Sequence, residues 1–331
     1  MSEGLLESAG LPNPMNAGEV AGVEGKSPMQ LAVARFRKDK KSMVALSVVV
    51  LYFVTAIAAP ILVKVGVLDP YKAHIDLINE IALPSGAHWG ISSHHLLGVE
   101  PGIGRDVLSR LLYGITFSLA ISITASLLAL IIGVVLGIIA GYTGGWVDSI
   151  IGRLIDLWLC FPQTIMLLAL SGITVRFLTE TVGIPPGNGA QATFVIVVLA
   201  IFGWMPTARL IRGQVLSIRE SEFVAAAQLF GASRRRMWFK EILPNLWAPI
   251  LVNFTLMLPA FISAEAALSY LNVSVKAPTP TLGNLLRDAV KFAQGDFLYF
   301  VAPAVLLAVI VVAFNLLGDG LRDALDPKSS R

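Results

Sequence analysis

Six apolar runs, each about 20 residues long, leave this chain little choice of architecture. They lie at about 43–63, 117–139, 154–175, 192–210, 246–270 and 297–318. Inside a bilayer every backbone N–H and C=O must be satisfied without water, which a helix does within one segment. Runs of this length are also much longer than the strands of a membrane barrel. The expected fold class is therefore an all-α integral membrane protein with six transmembrane helices. Composition agrees, since 55% of the residues are hydrophobic and only 14% charged, too few charges to cover a water-soluble domain.

The basic residues orient the chain. With the N-terminus inside, the inner segments hold 17 of the 25 Lys and Arg, a positive-inside bias strongest at Arg35, Arg37, Lys38, Lys40 and Lys41. Such a cluster also suits nucleic acid, but its place beside a spanning run argues topology, and no nucleic-acid partner is expected. Residues 1–30, polar and rich in Gly, Pro and Glu, form the expected poorly ordered cytoplasmic N-terminus. A basic amphipathic segment and the first span occupy 31–64, an extracytoplasmic loop 65–111, a core with spans two to six 112–320, and a cytoplasmic tail 321–331. The first run begins too late and is too long for a secretory h-region, so the chain is expected to stay uncleaved. Cys160, the only cysteine, lies in the third run, where it offers no disulfide framework and is expected to pack.

A polar insertion at 212–245, RGQVLSIRESEFVAAAQLFGASRRRMWFKEILPN, interrupts the core. Its residues predict two short helices. Ser217 with Glu220 fits a capping box for the first, Ala225, Ala226 and Ala227 favour helix, and Gly231 suits the left-handed residue that ends it. Ser233 then caps a second helix carrying Arg234, Arg235 and Arg236, which Pro244 would stop before the next span. Phe223, Leu229 and Phe230 offer an apolar anchor beside small alanines. The segment is either a docking element or a solvated linker with a basic face.

Other residues stand out by their chemistry. Asp106 and Arg110 are four apart, which on a helix entering the membrane predicts an intrahelical ion pair. Gly144 and Gly145 predict a tight turn into the third span, with Asp156 able to pair with Arg153. Glu265 is an acid within an apolar span, so it either lines a polar path or hydrogen-bonds a neighbouring helix near the outer surface. His74, His88, His94 and His95 share one outer segment, but without i, i+4 spacing or a nearby carboxylate set they read as a solvated loop, and no metal site is expected. No phosphate-binding G-x-x-x-x-G-K-[ST] occurs, and no catalytic constellation stands out.

Four stretches together resemble the permease subunits of ABC importers, in family order, over residues 30–325. In the insertion, Ala226, Ala227, Gly231, Leu243 and Pro244 match the family's E-A-A, three residues, G, nine or ten residues, I-L-P pattern. Ala225 replaces its glutamate, and Ile242 falls one place late, as in the peptide-importer branch. The stretch 95–114 is similar to H-P-L-G-T-D-x-x-G-R-D-x-x-S-R-x-x-x-G of oligopeptide and dipeptide permeases, matching at Gly104, Arg105, Asp106, Ser109, Arg110 and Gly114. Val99 and Glu100 depart from it, and one extra residue precedes Gly104. The stretch 141–162 resembles the family's short loop into the third span. The stretch 264–286 resembles EAxLSFLGLGxxPPxPSWGxML, with Asn272, Ser274 and Leu282 replacing two glycines and a tryptophan.

The resemblance implies a type I ABC importer permease fold and a C-type subunit in the bacterial cytoplasmic (inner) membrane, multi-pass, with both termini cytoplasmic. It implies as partners a homologous B-type permease, two ATP-binding subunits, an extracytoplasmic substrate-binding protein, a peptide substrate and membrane lipid. ATP and Mg would be bound by the ATPases, with no cofactor on this chain and no enzyme activity of its own. Glu220, Phe223, Ala226, Ala227, Gly231, Ala232, Ser233, Leu243 and Pro244 would form the ATPase-coupling loop, Arg105, Asp106 and Arg110 a structural elbow, and Glu265 a candidate for the translocation pathway. A nickel or glutathione importer of the same family is the alternative cargo. An ATPase-independent secondary transporter is the alternative class; it predicts an inverted repeat and broken intramembrane helices with several buried ionisable residues, neither of which the sequence shows.

Overall fold

The computed structural model describes residues 28–85 and 87–326. Most of the expected poorly ordered N-terminus, up to residue 27, and the end of the expected tail, 327–331, lie outside them.

Asp39 divides the first two helices. Its carboxylate accepts the N–H groups of Lys41 (3.1 Å) and Ser42 (3.2 Å), capping α2 (Lys40–Val65) and separating it from the basic helix α1 (Pro28–Lys38). An irregular stretch with 3-10 turns at Ile75–Leu77 and Ala87–Gly90 leads to α3 (Val107–Thr143). Helices α4 (Gly145–Leu159), α5 (Gln163–Glu180), α6 (Asn188–Ile218), α7 (Glu222–Leu229) and the single turn α8 (Arg234–Arg236) follow. The chain then passes through a π turn and a 3-10 turn into α9 (Trp247–Tyr270), and closes with α10 (Leu282–Val290) and α11 (Phe297–Leu325). Among the described residues no strand forms; three isolated bridges brace the stretch before α3.

Among the described residues five segments are long and apolar enough to cross a membrane: α2, α3, α6, α11 and the run Arg234–Tyr270 that contains α9. The third predicted span is instead two helices, α4 and α5, broken at Cys160, Phe161 and Pro162. Pro162 has no N–H to continue the ladder, and it disfavours helical geometry at the residue before it. Cys160 consequently sits exposed at the break rather than packed in a span.

The most extensive helix pair is α3 with α6, and a stripe of small residues explains it. Ala125, Ala129, Gly133, Gly137 and Gly141 recur every fourth position on α3 and are all buried. A Cβ added at Gly133 would lie 2.7 Å from the Trp204 carbonyl oxygen, and one at Gly137 2.8 Å from that of Ala208. Lipid offers no hydrophobic drive between helices, so backbone contact of this kind supplies the association. Around this seam α4, α5 and α9 complete one apolar core; α2, α9, α10 and α11 build a second with the N-terminal half of α3. The bundle thus has a loop end, holding 66–106 and 271–296, and a basic end, holding α1, α4, α7, α8 and the end of α11.

Candidate functional site

At the loop end, Glu100 gathers the charges. Arg105 donates to it through Nε (2.6 Å to Oε2) and Nη2 (2.8 Å to Oε1), and the Tyr299 hydroxyl of α11 donates to Oε1 at 3.2 Å. Arg110 Nε lies 3.2 Å from Oε2, and Arg110 Nη1 donates to the carbonyls of Pro70 (3.2 Å) and Pro278 (3.3 Å). With Arg110 only 1% exposed, this cluster ties the loop before α3, the head of α3, the turn before α10 and α11 into one body. The expected Asp106–Arg110 pair does not form. Asp106 is the N-cap of α3, with extended backbone, so it lies outside the helical register; it accepts the Ser109 N–H at 2.7 Å and lies 2.9 Å from His95 Nδ1. Gly104, at φ 79°, is required here, since a Cβ would meet the His74 carbonyl oxygen at 2.3 Å. Among the described residues no three His, Cys, Asp or Glu side chains come together in a metal-like group. The His74 and His95 rings instead stack edge to face at 5.0 Å.

Glu265 is enclosed by three neighbouring elements. It is fully buried and is met by three hydroxyls: Ser118 of α3 donates to Oε2 (2.9 Å), and Ser269 (2.8 Å) and Ser274 (3.2 Å) donate to Oε1. Ser118 Oγ also accepts the Leu282 N–H (3.0 Å), and Thr281, 3.2 Å from Ser269, caps α10 in a capping box with Asn284. Gly283 lets α10 lie against α9, since a Cβ there would be 2.6 Å from Ala266 Cα. The acid is thus a knot joining α3, α9 and α10. Asn272 stands at φ 64° where the family stretch has glycine, a conformation asparagine tolerates best among the other residues.

At the basic end the insertion forms two helical pieces, but the first starts later than predicted. Ser217 remains inside α6, and Glu220, paired with Arg219 (2.9 Å), lies between helices; Ser221 takes the N-cap position of α7. Helix α7 ends in a Schellman motif, with Gly231 at φ 76°, Gly231 N–H bonded to the Gln228 carbonyl (2.9 Å) and Ala232 N–H to that of Ala227 (3.0 Å). Ser233 then caps α8 through the Arg236 N–H at 3.4 Å. Pro244 does not stop the helix. It lacks an N–H and would crowd the Lys240 carbonyl, and the chain answers by widening into a π turn over Met237–Ile242 and tightening into a 3-10 turn over Leu243–Leu246 before α9.

Helix α7 packs against that π turn, rooted by fully buried Val224, Met237, Ile242 and Leu246. Its tip is the opposite: Leu229 is 88% and Phe230 91% exposed, with Phe223 and Ala226 exposed on the face they share with Phe230. Beside it, α4 is clasped to α6 by two ion pairs, Asp148 with Arg212 and Asp156 with Arg209, the latter in place of the expected Arg153 partner. The Arg212 hydrogen bonds hold the Asp148 carboxyl below the usual carboxylate range. Glu100, Ser118, Ser274 and Thr281 are the site residues that sequence reasoning missed; Glu100 and Ser274 were visible only as departures from the family stretches.

Comparison with known proteins agrees with this architecture. Residues 133–331 match the model of the binding-protein-dependent transport system inner membrane component, and residues 27–80 that of the N-terminal TM domain of oligopeptide transport permease C. The chain is 36% identical over 302 residues to the dipeptide transport system permease protein DppC of Alkalihalophilus pseudofirmus, covering 91% of this chain and 90% of that one. It is 38% identical to DppC of Escherichia coli (91% and 94% covered) and 34% identical to the oligopeptide transport system permease protein OppC of Mycobacterium bovis (92% and 97%). Among solved structures, an inward-facing form of the MetNI methionine ABC transporter superposes with a TM-score of 0.51 at 19% identity, covering 66% of this chain and 96% of that one, a likeness of fold. The chain belongs to the family of binding-protein-dependent transport system inner membrane components. It is a multi-pass membrane permease with the ABC importer permease fold, and not an enzyme.

Proposed function

We propose that this chain is the C-type permease of an ATP-driven importer of dipeptides or oligopeptides, forming half of a translocation path with a homologous B-type permease. The names of its relatives, dipeptide and oligopeptide permeases, support the cargo. The excess of Lys and Arg at the basic end supports an orientation with that end, and both termini, in the cytoplasm. A binding protein delivers peptide at the loop end, and two ATPase subunits, which hold ATP and Mg, dock at the basic end. Peptides share charged termini and backbone amides, so selection rests mainly on the binding protein.

One observation carries the docking role: the unpartnered apolar tip of α7, Leu229 and Phe230, held out by a rigid root. An exposed apolar helix end of this kind fits a groove on a partner. Movement of α7 would pass through the π turn into α9, and from α9 through Glu265 to α3 and α10. The coupling residues are therefore Phe223, Ala226 and Ala227 on α7, Gly231, Ala232 and Ser233 at its exit, Leu243 and Pro244 at the bend, and Glu220 at its entry. The reading is tested in proteoliposomes with the ATPases, partner permease and binding protein. Phe230→Glu and Gly231→Pro should cut peptide uptake by at least about tenfold, the order of one lost apolar anchor, while the subunit still inserts. Wild-type uptake by both variants would remove the coupling assignment.

A further inference from the structure

An apolar cavity of about 290 Å³ lies among α1, the first turns of α2, the start of α9 and the end of α11. Ala32, Leu46, Leu251 and Leu321 are among its lining residues, and among the described residues Arg37 is the only charged one. At about 30 Å³ per methylene, close to the share of one liquid water, the cavity takes on the order of ten methylenes, a large part of one acyl chain. Helix α1 is held over it where Arg35 Nη1 donates to the Asp326 carbonyl at 3.2 Å. Met29, Leu31 and Val33 on α1 and Val44 on α2 remain exposed, apolar side chains of the kind that sit at an acyl boundary.

Charge along the α1–α2 side of the cavity is one-sided, facing the end of α11 with Asp319, Asp323 and Asp326. Between Arg35 and Lys41 the chain carries Arg35, Arg37, Lys38, Lys40 and Lys41 against a single acid, Asp39, whose carboxylate is occupied in capping α2. Arg37, Lys38, Lys40 and Lys41 are exposed. A basic amphipathic helix next to a span concentrates anionic headgroups, and this one adds a built apolar slot. We propose that this cavity holds an anionic phospholipid, with one acyl chain in the slot and its phosphate on Arg37, backed by the cationic run. The apolar lining is what selects lipid over the chain's own residues 1–27: their Glu3, Glu7, Glu19 and Glu24 could meet the cationic run, but their longest run of large apolar residues, Leu5–Leu6, is too short to fill the slot. The proposal needs only a membrane protein and is independent of cargo and of the coupling assignment.

The test is native mass spectrometry of the full-length chain in mild detergent, titrated with phosphatidylglycerol or with phosphatidylcholine of the same acyl length. One phosphatidylglycerol per chain should be retained at least about tenfold more strongly than phosphatidylcholine. Replacing Arg37, Lys40 and Lys41 together by Gln should abolish that preference, at about fivefold per charge removed; all three side chains are exposed, so the fold is unaffected. Ala32→Trp should fill the slot and lose the bound lipid with helix content unchanged. Equal retention of both lipids, or full occupancy in Ala32→Trp, would overturn the site by reducing it to a diffuse annular shell. Retention that appears only after residues 1–27 are deleted would make that segment the occupant and equally end the proposal.

Discussion

Glu100 and Arg105 meet as a two-pronged ion pair, Nε to Oε2 at 2.6 Å and Nη2 to Oε1 at 2.8 Å, with both side chains almost wholly buried. The fork geometry of a guanidinium on a carboxylate gives direction as well as energy. Because Arg110 and Tyr299 converge on the same carboxylate, one acid fixes how the loop end sits on α3 and α11.

Glu100→Gln should therefore destabilise the protein by about 3–5 kcal/mol, since two buried guanidiniums lose their only shared anion. Thermal melting in detergent reads this out, and a melting point equal to wild type would show that the cluster is not a structural hub.

Gly137→Val should loosen the α3–α6 seam. The new side chain has nowhere to go but into the Ala208 carbonyl and Ile211, and overpacking of this kind costs about 1–3 kcal/mol. Gly152→Ala on α4, where nothing lies within 4 Å, is the control and should cost nothing. Equal melting of the two variants would argue against close packing at the seam.

Glu265→Leu should be worse than Glu265→Gln. The leucine removes the acceptor of the Ser118, Ser269 and Ser274 hydroxyls in a dry interior, at about 1–3 kcal/mol for each one left without a partner; Ser269 keeps Thr281 at 3.2 Å. The glutamine keeps hydrogen-bonding capacity and should melt close to wild type. If instead Gln abolishes transport while leaving melting unchanged, the acid has a role in the path as well as in the knot.

Asp148 gives a pH signature. Its carboxyl is held below the ordinary value by Arg212, so the clasp contributes stability above an unfolded-state pKa of about 3.9 and loses it as pH falls through the lower folded value. Asp148→Asn should loosen α4 at neutral pH. The difference between variant and wild type should shrink to nothing in strong acid, as followed by the fluorescence of Trp146 and Trp158. A difference that persists at full protonation would mean that the ion pair is not what holds α4.

Local chemistry was legible wherever the chain's own neighbours decide the outcome. Gly231 ends α7 and Ser233 caps α8, as their residue types predict, because both effects act within a few residues. The same local rules failed where a longer element overrode them: Ser217 satisfies a capping pattern but lies inside α6, and Pro244 bends rather than ends its helix. Asp106 and Arg110 had the right spacing but not the right register, since one of them is the cap itself. The small-residue stripe from Ala125 to Gly141 recurs at every fourth position in the sequence, and the packing against α6 gives it its meaning.

What the sequence determined alone is the membrane class, the long spans and the two-piece insertion, since hydropathy and backbone satisfaction act on each segment separately. Only the tertiary structure decided that Glu265 is met by hydroxyls from α3, α9 and the turn after it, that Glu100 binds two arginines, and that Asp156 reaches Arg209. Those outcomes depend on which side chains from distant segments arrive at the same place. A buried charge takes the partner that packing delivers to it, and the one-dimensional spacing of residues does not carry that information.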